Sequence, residues 1–383
     1  MATAYAQVNP NLLRWARERA DLTDLTLAML AKKLHTTEDN VDAWESGAKP
    51  ITMRKAMELA EKTYVPFGFL FLHEQPKETL PIPDLRTVDS EPVRKPSAEL
   101  RKVVQTTLTK QAWYKDYALE QAHSPLPFVG RFTTTTPVAT IVDDMRQVLG
   151  VPPHPTRGSW EDYHKALIAR IEAVGVLVIR QGHLGHHTKP LSVSEFRGFA
   201  IADPIAPVIF INLADAPVAR LFTLIHELAH IWIGQSGVSD GADTSHRQEE
   251  VLCNAVAAEF LVPGEEFRAL WQPAEDWKEN LGPLEAHFHV SQWVLARRAL
   301  TLKFITADDY HRFIAWLKQQ YDERERTGSG PSYYVTLKSQ TSERLARAVL
   351  SETASGHVLL RDAGQLLGMK PDKIATFAKG YER

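Results

Sequence analysis

The chain has little cysteine and little net charge. Cys253 is the one cysteine in 383 residues, which excludes an internal disulfide and favours a reducing compartment. The 44 basic and 47 acidic residues leave a net charge of -3, so global charge gives no argument for nucleic acid or an anionic membrane as a partner. No apolar run reaches the length of a membrane span, and the start of the chain lacks a basic-then-apolar signal. We therefore expect a cytoplasmic protein without a membrane partner.

The sequence does contain two closely spaced histidines with a glutamate between them. In the run His226-Glu227-Leu228-Ala229-His230 the histidines are four residues apart, which puts both imidazoles on one face of a helix. Two imidazoles are common zinc ligands, and the carboxylate of Glu227 beside them suits a general base. The simpler alternative is a pair of buried histidines hydrogen-bonded in a core. Because the pattern also includes Glu227, we favour the metal site.

The surrounding residues predict the helix that this spacing requires. Asp215 is a candidate N-cap, and Pro217 follows in the first turn, where its missing N–H does no harm. Apolar residues then recur at intervals of three and four, and Gly234 and Gly237 offer a stop. The histidines therefore lie on an otherwise apolar face, where a bound cation would satisfy both ring nitrogens.

A third ligand is available on the next predicted helix. After a polar loop over residues 234–246, residues 249–261 have helical composition and end at Pro263 and Gly264. Glu250 on this helix completes a set of two histidines and one carboxylate, which leaves one position of a tetrahedral zinc ion open for water.

Other side chains on the same helix have different expected roles. Asn254 lies one turn after Glu250 and is a candidate to orient a metal ligand. Glu249 and Glu259 are alternatives to Glu250 as the ligand, although Glu249 is better explained as a solvated charge in the first turn. Cys253 is predicted to be a small buried residue and not a ligand.

The arrangement is shared with a known family. It resembles the ImmA/IrrE family of zinc-dependent metallopeptidases, whose pattern the chain carries as His226-Glu-Leu-Ala-His230 followed by Glu250-x-x-x-Asn254-x-x-Ala-Ala-x-x-Leu-x-Pro263. The similar region covers roughly residues 160–320, including strand-like segments at 197–201 and 208–212.

The resemblance implies a fold, a set of roles and a partner. It implies a zincin-like α+β domain in which His226, His230 and Glu250 bind the metal. By the same resemblance Glu227 is the catalytic base. Members of the family typically cleave transcriptional repressors, so the implied partner is a protein substrate, a repressor, and the implied role is regulation of gene expression.

A metal at this position would supply the chemistry of peptide hydrolysis. Zinc lowers the pKa of water towards neutrality, and Glu227 can take a proton from that water and pass it to the leaving amine. His246, Tyr333 and Tyr334 are residue types that could stabilise the oxyanion, although the sequence places none of them near the metal. The segment 208–212 is a candidate to pair with an extended substrate, the alternative being an ordinary buried strand. Zinc is the first expectation, and manganese, iron and cobalt also suit these ligands.

The beginning of the chain has a different pattern, with four or five short helices over residues 11–72. Residues 27–37 and 41–47 resemble the helix-turn-helix of phage-repressor-like (Cro/C1-type) DNA-binding modules. By this resemblance Thr37 begins the recognition helix, in which Asn40 is the side chain suited to reading a base.

The charge of that helix argues against DNA. The helix has no lysine or arginine, whereas affinity for duplex DNA rests largely on cationic contacts, and its acidic residues are Glu38, Asp39, Asp42 and Glu45. Two roles therefore stay open for this region: duplex DNA binding, and protein docking or self-association.

Composition and linkers suggest how the chain is divided. With 44% hydrophobic residues, 383 residues are enough for two or three cores. Prolines between residues 76 and 96 favour an extended connector, and Gly328 to Pro331 resemble a second linker. We predict a multidomain, mainly α protein with a small β-sheet, divided into a helix-turn-helix domain (1–72), a proline-rich connector (73–97), a zincin-like metallopeptidase domain (98–327) and a C-terminal helical region (328–383).

Two functional hypotheses follow. The first is a zinc-dependent endopeptidase that hydrolyses a peptide bond in a partner protein, a transcriptional repressor. The second is a DNA- or protein-binding transcriptional regulator, similar to an antitoxin, in which the peptidase fold is a sensor or scaffold. The intact Glu227 favours the first, because a structural zinc site has no need of a base.

Overall fold

Helices account for most of the computed structural model, which describes residues 4–20, 26–76, 80–83, 96–184, 190–239, 247–325 and 340–381. The chain divides into two units, the first formed by Met1–Pro81 with Arg94–Thr106 and the second by Ile82–Val93 with Thr107–Arg383. The finer division into four regions stays a prediction.

The first unit contains the short helices that the sequence predicts. They are α1 (Pro10–Arg19), α2 (Leu27–Lys33), α3 (Glu38–Glu45) and α4 (Met53–Lys62), followed by a 3-10 helix (Phe67–Phe71). Their apolar faces share one core, and their N-termini are capped by polar side chains. Thr37 is the N-cap of α3, with its Oγ1 accepting from the Asn40 backbone N–H at 3.3 Å. Helix α3 therefore begins where the predicted recognition helix begins.

The outer face of α3 is less acidic than its sequence indicates. Glu45 is 3% exposed, and its carboxylate accepts hydrogen bonds of 2.7 and 2.8 Å from the guanidinium of Arg17 on α1. The other three carboxylates are exposed. One of the four acidic residues is thus part of the packing between α1 and α3.

A small mixed sheet forms the β part of the second unit. Its strands are β1 (Leu177–Gln181), β2 (Gly198–Ile201), β3 (Val208–Asn212) and β4 (Gly237–Ser239), in the order β1-β3-β2-β4. Strands β1 and β3 are parallel, whereas β2 runs antiparallel to both β3 and β4. Strands β2 and β3 are buried over their whole length, as expected for apolar segments covered on both faces.

The sequence predicted β2 and β3 but not the other two strands. The polar loop predicted over 234–246 was wrong at residues 237–239, which form β4. Three residues are too short to show an alternating pattern, and β4 exists because it pairs with β2, where Val238 lies opposite Phe199.

Helices surround this sheet in the second unit. Helix α5 (Ala98–Glu120) begins in the first unit and continues in the second. The helices that follow it along the chain are α6 (Val138–Leu149), α7 (Trp160–Ala173), α8 (Pro217–Trp232), α9 (Gln248–Leu261), α10 (Gly264–Leu270), α11 (Leu281–Phe288), α12 (Gln292–Thr301), α13 (Ala307–Glu325), α14 (Glu343–Ala354), α15 (Leu360–Leu367) and α16 (Ile374–Ala378). A mainly helical chain with a small sheet is therefore confirmed.

Helix α8 packs on β2 and β3 on one side and on α9 on another. Its residues from 221 to 232 are all buried. Pro217 lies in the first turn as predicted, but the N-cap is Ala216 and not Asp215. The Asp215 carboxylate instead accepts from Arg197 at 3.3 Å and from the Ala216 backbone N–H at 2.9 Å. The nearby arginine thus holds the aspartate away from the capping position.

Helix α14 packs against α7 and β1 in the second unit, and α15 packs against α14. Glu172 of α7 is buried, and its carboxylate accepts backbone N–H bonds from Glu343 at 2.9 Å and from Val178 at 3.3 Å. Burial raises the pKa of Glu172 above its ordinary value. A buried carboxylate therefore ties the first turn of α14 to α7. Across the described residues, no helix is both long and apolar enough to cross a bilayer.

Candidate metal centre

Helix α8 holds the two histidines and the glutamate of the predicted site. His226 and His230 are one turn apart, and their Nε2 atoms lie 3.2 Å from each other. Their side chains are 3% and 0% exposed, and Glu227 is completely buried. The helix forms here because a continuous apolar stripe packs it against the sheet, and this packing carries the polar side chains into the interior.

Helix α9 brings the third side chain to the same point. Glu250 Oε2 lies 3.2 Å from His226 Nε2, and Glu250 Oε1 lies 3.1 Å from His230 Nε2. The ligand atoms of a tetrahedral zinc ion with bonds of about 2.0–2.1 Å are separated by about 3.3 Å, so the three distances fit a single ion. The structure brings His226, His230 and Glu250 together as one candidate metal group.

The alternative carboxylates on α9 lie elsewhere. Glu259 pairs with the guanidinium of Arg298 and accepts the Gly264 backbone N–H at 3.1 Å. Glu249 is partly exposed and does not belong to the group. Cys253 is fully buried, as predicted, and burial raises the pKa of its thiol well above the ordinary value. Of the carboxylates on α9, only Glu250 therefore reaches the histidines.

Strand β4 places a serine beside this group, which sequence reasoning did not find. The Ser239 hydroxyl donates to Glu250 Oε1 at 3.3 Å and lies 3.5 Å from His230 Nε2. It is 1% exposed, at the end of the strand. The signal was absent from the sequence because the pairing of β4 with β2, and not a motif, sets the position of Ser239.

Strand β3 does not have the accessible edge that substrate pairing requires. It lies between β1 and β2, so its backbone groups are already paired on both sides. The prediction that segment 208–212 pairs with a substrate is therefore wrong, and the alternative of an ordinary buried strand is correct. On the edge strand β4, the outward Val238 N–H donates to the Pro83 carbonyl at 3.0 Å.

A glycine on β2 makes room for the carboxylate of Glu227. A Cβ atom at Gly198 would lie 2.9 Å from Glu227 Oε1, 2.9 Å from the Phe210 carbonyl oxygen and 2.9 Å from Thr223 Cγ2. All three distances are below normal contact, so a larger residue at this position would displace Glu227 or the strand. Gly198 is thus a second position of the site that the motif does not reveal.

Burial and neighbouring charge act on the two carboxylates in opposite directions. Burial and the negative charge of Glu250 raise the pKa of Glu227 well above its ordinary value. Burial also acts to raise the pKa of Glu250, but the imidazoles of His226 and His230 outweigh it and lower that pKa. The site therefore holds one carboxylate whose pKa is lowered by its imidazole partners and one that readily binds a proton.

A narrow pocket opens beside Glu227, between α8 and α12. It is lined by side chains that include Arg197, Phe222, Thr223, His226, Trp293 and Arg297. The Arg297 guanidinium lies 4.2 Å from the centre of the Phe222 ring and donates to Asn254 Oδ1 at 3.1 Å. Asn254 thus contacts the pocket wall, and its predicted role of orienting a metal ligand stays a prediction.

Several other predicted residues lie away from this centre. His246, Tyr333 and Tyr334 fall outside the described residues, so their proposed contact with the oxyanion stays a prediction. Thr37 and Asn40 belong to the first unit, where the Asn40 side chain accepts from Lys49 Nζ at 2.8 Å and donates to Thr36 Oγ1 at 3.2 Å. DNA binding by these two residues also stays a prediction.

Comparison with known protein families agrees with the geometry. Residues 341–380 match a domain of unknown function, DUF8813. No curated protein matches the chain. Residues 173–300, which include β1 to β4, α8, α9 and all three candidate ligands, match Peptidase_M78, the IrrE N-terminal-like domain. This match supports a metallopeptidase of the ImmA/IrrE type, and therefore a hydrolase that uses a divalent metal.

Proposed function

We propose that the protein is a zinc-dependent endopeptidase that hydrolyses a peptide bond in a partner protein, a transcriptional repressor, and thereby regulates gene expression. The observation that carries this proposal is the meeting of His226, His230 and Glu250 at separations of 3.1–3.2 Å, with Glu227 fully buried beside them. A site that only stabilised the fold would need the three ligands but not the fourth side chain.

The donor set suits zinc. Two imidazole nitrogens and one carboxylate are an established catalytic combination, which leaves a coordination position for water or substrate. Bound at this point, zinc would polarise the scissile carbonyl and lower the pKa of the attacking water. Manganese, iron and cobalt accept the same donors, and metal analysis of the purified protein distinguishes them.

Glu227 is proposed to move the proton. Its carboxylate takes a proton from the attacking water and delivers it to the leaving amide nitrogen. Its burial favours this exchange, because a carboxylate that is poorly solvated binds a proton more readily than one in water. Gly198 supports the role by leaving space for Oε1, and Ser239 by donating a hydrogen bond to Glu250.

The pocket offers cationic groups for the developing oxyanion. Arg197 and Arg297 both line it, and both are held in place by aromatic rings, Trp293 and Phe222 respectively. A fixed guanidinium is a strong hydrogen-bond donor to an oxyanion. We propose that these two arginines stabilise the oxyanion, while His246, Tyr333 and Tyr334 stay candidates by residue type alone.

The experiment that tests the function compares substrates in cells. Wild-type protein and the matched Glu227→Gln variant are expressed at equal levels in the native host, and new protein N-termini are identified by mass spectrometry. We expect a new N-terminus inside a DNA-binding repressor with the wild type only. Identical sets of N-termini in both strains, with zinc bound to both proteins, would contradict the proposal.

A second role is favoured by the first unit. Helices α2 and α3 follow the order of a helix-turn-helix, and the neutralisation of Glu45 by Arg17 lowers the negative charge of the packed pair. We propose that this unit binds duplex DNA and thereby keeps the peptidase near its repressor. The test is retention of upstream operator fragments by the full chain at 50 and 200 mM salt, conditions chosen because cationic contacts weaken with salt. Binding that is absent at both concentrations contradicts DNA binding and leaves protein docking.

A further inference from the structure

A second group of two histidines and one glutamate lies in the second unit, apart from the centre on α8 and α9. His154 comes from the segment between α6 and α7, Glu266 from α10, and His287 from α11. His154 Nε2 lies 3.2 Å from Glu266 Oε1, and His287 Nε2 lies 2.7 Å from the same oxygen. One oxygen and two ring nitrogens thus meet within 4.8 Å of one another.

The tautomer of His154 shows what this meeting point requires. Its Nδ1 lies 3.1 Å from the Pro155 carbonyl oxygen, and since a carbonyl oxygen can only accept, Nδ1 must carry a hydrogen. In the neutral imidazole, Nε2 then carries a lone pair, which points at a carboxylate oxygen that is also an acceptor. Two acceptors at 3.2 Å need a hydrogen or a cation between them, which is a second ring proton, a proton on the carboxyl group or a metal ion.

The backbone around His154 is held in position. Arg146 on α6 donates from Nη2 to the Pro153 carbonyl at 3.2 Å and to the Phe260 carbonyl at 3.0 Å. The ring of Phe288 packs against both imidazoles, with centroids 5.3 Å from His154 and 4.8 Å from His287. The anchored loop and the contact with Phe288 hold the His154 ring before any ligand binds, which lowers the entropic cost of binding.

We propose that His154, Glu266 and His287 form a second binding site for a divalent transition metal, with zinc as the expected ion. Two imidazole nitrogens and a carboxylate are zinc ligands, and the Nδ1 bond to the Pro155 carbonyl is the kind of contact that orients a ligating histidine. The side chains are 17%, 37% and 38% exposed, so water can occupy the fourth position. The metal would join the 151–155 segment to α10 and α11.

Binding requires a small adjustment of one side chain. The 2.7 Å between His287 Nε2 and Glu266 Oε1 is shorter than the separation of about 3.3 Å between ligands of a tetrahedral zinc ion. Both side chains are more than a third exposed and can rotate apart without disturbing the core. The inference does not depend on the proposed peptidase function, because none of the three residues belongs to the centre on α8 and α9.

The experiment measures zinc bound to the full chain after the metal has been stripped and zinc returned by equilibrium dialysis. In the His226→Ala background, which removes a ligand of the first centre, we expect one tightly bound zinc per chain. Adding His287→Gln should lower this to none, whereas the control His311→Gln, at an exposed histidine on α13, should leave it unchanged. In the otherwise wild-type chain, Glu266→Gln should lower the zinc content from two to one.

The two tests use different backgrounds, His226→Ala and the otherwise wild-type chain, so the proposal can be decided even if one variant fails to fold. Circular dichroism checks the folding of each variant. Zinc content that is unchanged by both His287→Gln and Glu266→Gln overturns the proposal. The proposal is also overturned if these variants lose thermal stability although the chain with intact His154, Glu266 and His287 binds no zinc at these residues. That result would identify a proton-linked hydrogen-bond network and no metal site.

Discussion

The two groups of two histidines and one glutamate have the same chemical composition and different surroundings. In the buried group, formed by the three candidate ligands on α8 and α9, the side chains are at most 3% exposed, and Glu227 and Ser239 lie beside them. In the half-exposed group, formed by His154, Glu266 and His287, the side chains are 17–38% exposed, and the neighbours are the Phe288 ring and backbone carbonyls. The types of candidate ligand are therefore common to both groups, while a fully buried neighbouring carboxylate and a narrow pocket belong to one.

The difference in burial and in neighbouring side chains decides which group is suited to catalysis and which only to binding a metal. Catalysis requires a positioned proton carrier and groups that act on the transition state, in surroundings with little water. Under the proposed function the buried group has these features, and enclosing Glu227 without full solvation costs stability. The half-exposed group has none of them, so we expect it to bind metal without hydrolysing a peptide.

The largest effect should come from removing a ligand of the buried group. Glu250→Gln weakens the charge that attracts the cation and should abolish both zinc binding at this centre and peptide hydrolysis. The matched variant Glu266→Gln makes the same change in the half-exposed group and should leave hydrolysis within about twofold of wild type. Zinc content and initial rates on the identified substrate measure both. Equal losses of activity in the two variants would contradict the expected difference between the two groups.

The next effect concerns the proton carrier alone. Glu227→Gln keeps the shape of the side chain but removes its ability to take a proton, so kcat/KM should fall by about 10²–10⁴-fold, the usual contribution of a general base. Zinc should remain bound, since Glu227 is not among the three ligand atoms. Stopped assays with zinc-loaded protein measure the loss. A rate unchanged by the substitution would assign the base to another residue.

A smaller effect should follow from filling the space beside Glu227. Gly198→Ala places a Cβ atom 2.9 Å from Glu227 Oε1 and from two other atoms, which should cost about 1–3 kcal/mol in the free energy of unfolding and lower kcat/KM. The control is Gly282→Ala on α11, where an added Cβ has no atom within 4 Å. That variant should be neutral or slightly stabilising, because alanine favours a helix. Denaturant unfolding and rates on both variants provide the test.

The smallest effect is a contrast in pH dependence in the metal-free protein. The pKa of Glu227 is raised, so the folded chain holds its proton at a pH where the unfolded chain has lost it, and the free energy of unfolding falls as pH rises through this range. Glu227→Gln should therefore be more stable than wild type at neutral pH, by up to about 2 kcal/mol. The gain should disappear as pH falls towards 4.5, the ordinary pKa of glutamate.

Glu266 should behave in the opposite way. Burial acts to raise its pKa, but the hydrogen bond from His287 and the charge of His154 outweigh it and lower the pKa. Its contribution to stability is present above the ordinary value of 4.5 and is lost as pH falls through the lowered pKa. Glu266→Gln should be less stable than wild type at neutral pH by no more than about 1 kcal/mol, because solvent screens the pair, and equal to it at low pH. Unfolding curves with the same sign for both variants would contradict this contrast.

Local patterns predicted the parts of the site that lie on single helices. The four-residue spacing of His226 and His230 gave their common face, and the next helix offered Glu250 as the third ligand. Local patterns failed where pairing or packing decides. Asp215 has the right chemistry for an N-cap, but its carboxylate accepts a hydrogen bond from Arg197, the residue before β2. Segment 208–212 was predicted to pair with substrate, but its place between β1 and β2 leaves it no edge.

The two groups also differ in how far spacing along the sequence predicts which residues meet. His226 and His230 can be paired by reading five letters, because the helix itself sets their separation. His154 is 112 residues from Glu266, and Glu266 is 21 residues from His287, so no local spacing connects them. Ser239 and Gly198 are likewise brought to the site by the pairing of β4 with β2 and of β2 with β3.

The sequence by itself determined that the chain is mainly helical, that one helix bears two imidazoles on its apolar face with a carboxylate next to them in the chain, and that a second helix offers Glu250. These follow from periodicity and composition, which act over a few residues. Only the tertiary structure decided that Glu250 and not Glu249 or Glu259 reaches the histidines, that Glu227 is enclosed against Gly198, and that His154, Glu266 and His287 meet. The reason is physical: such contacts depend on how helices and strands pack, and packing joins residues whose separation along the chain carries no information.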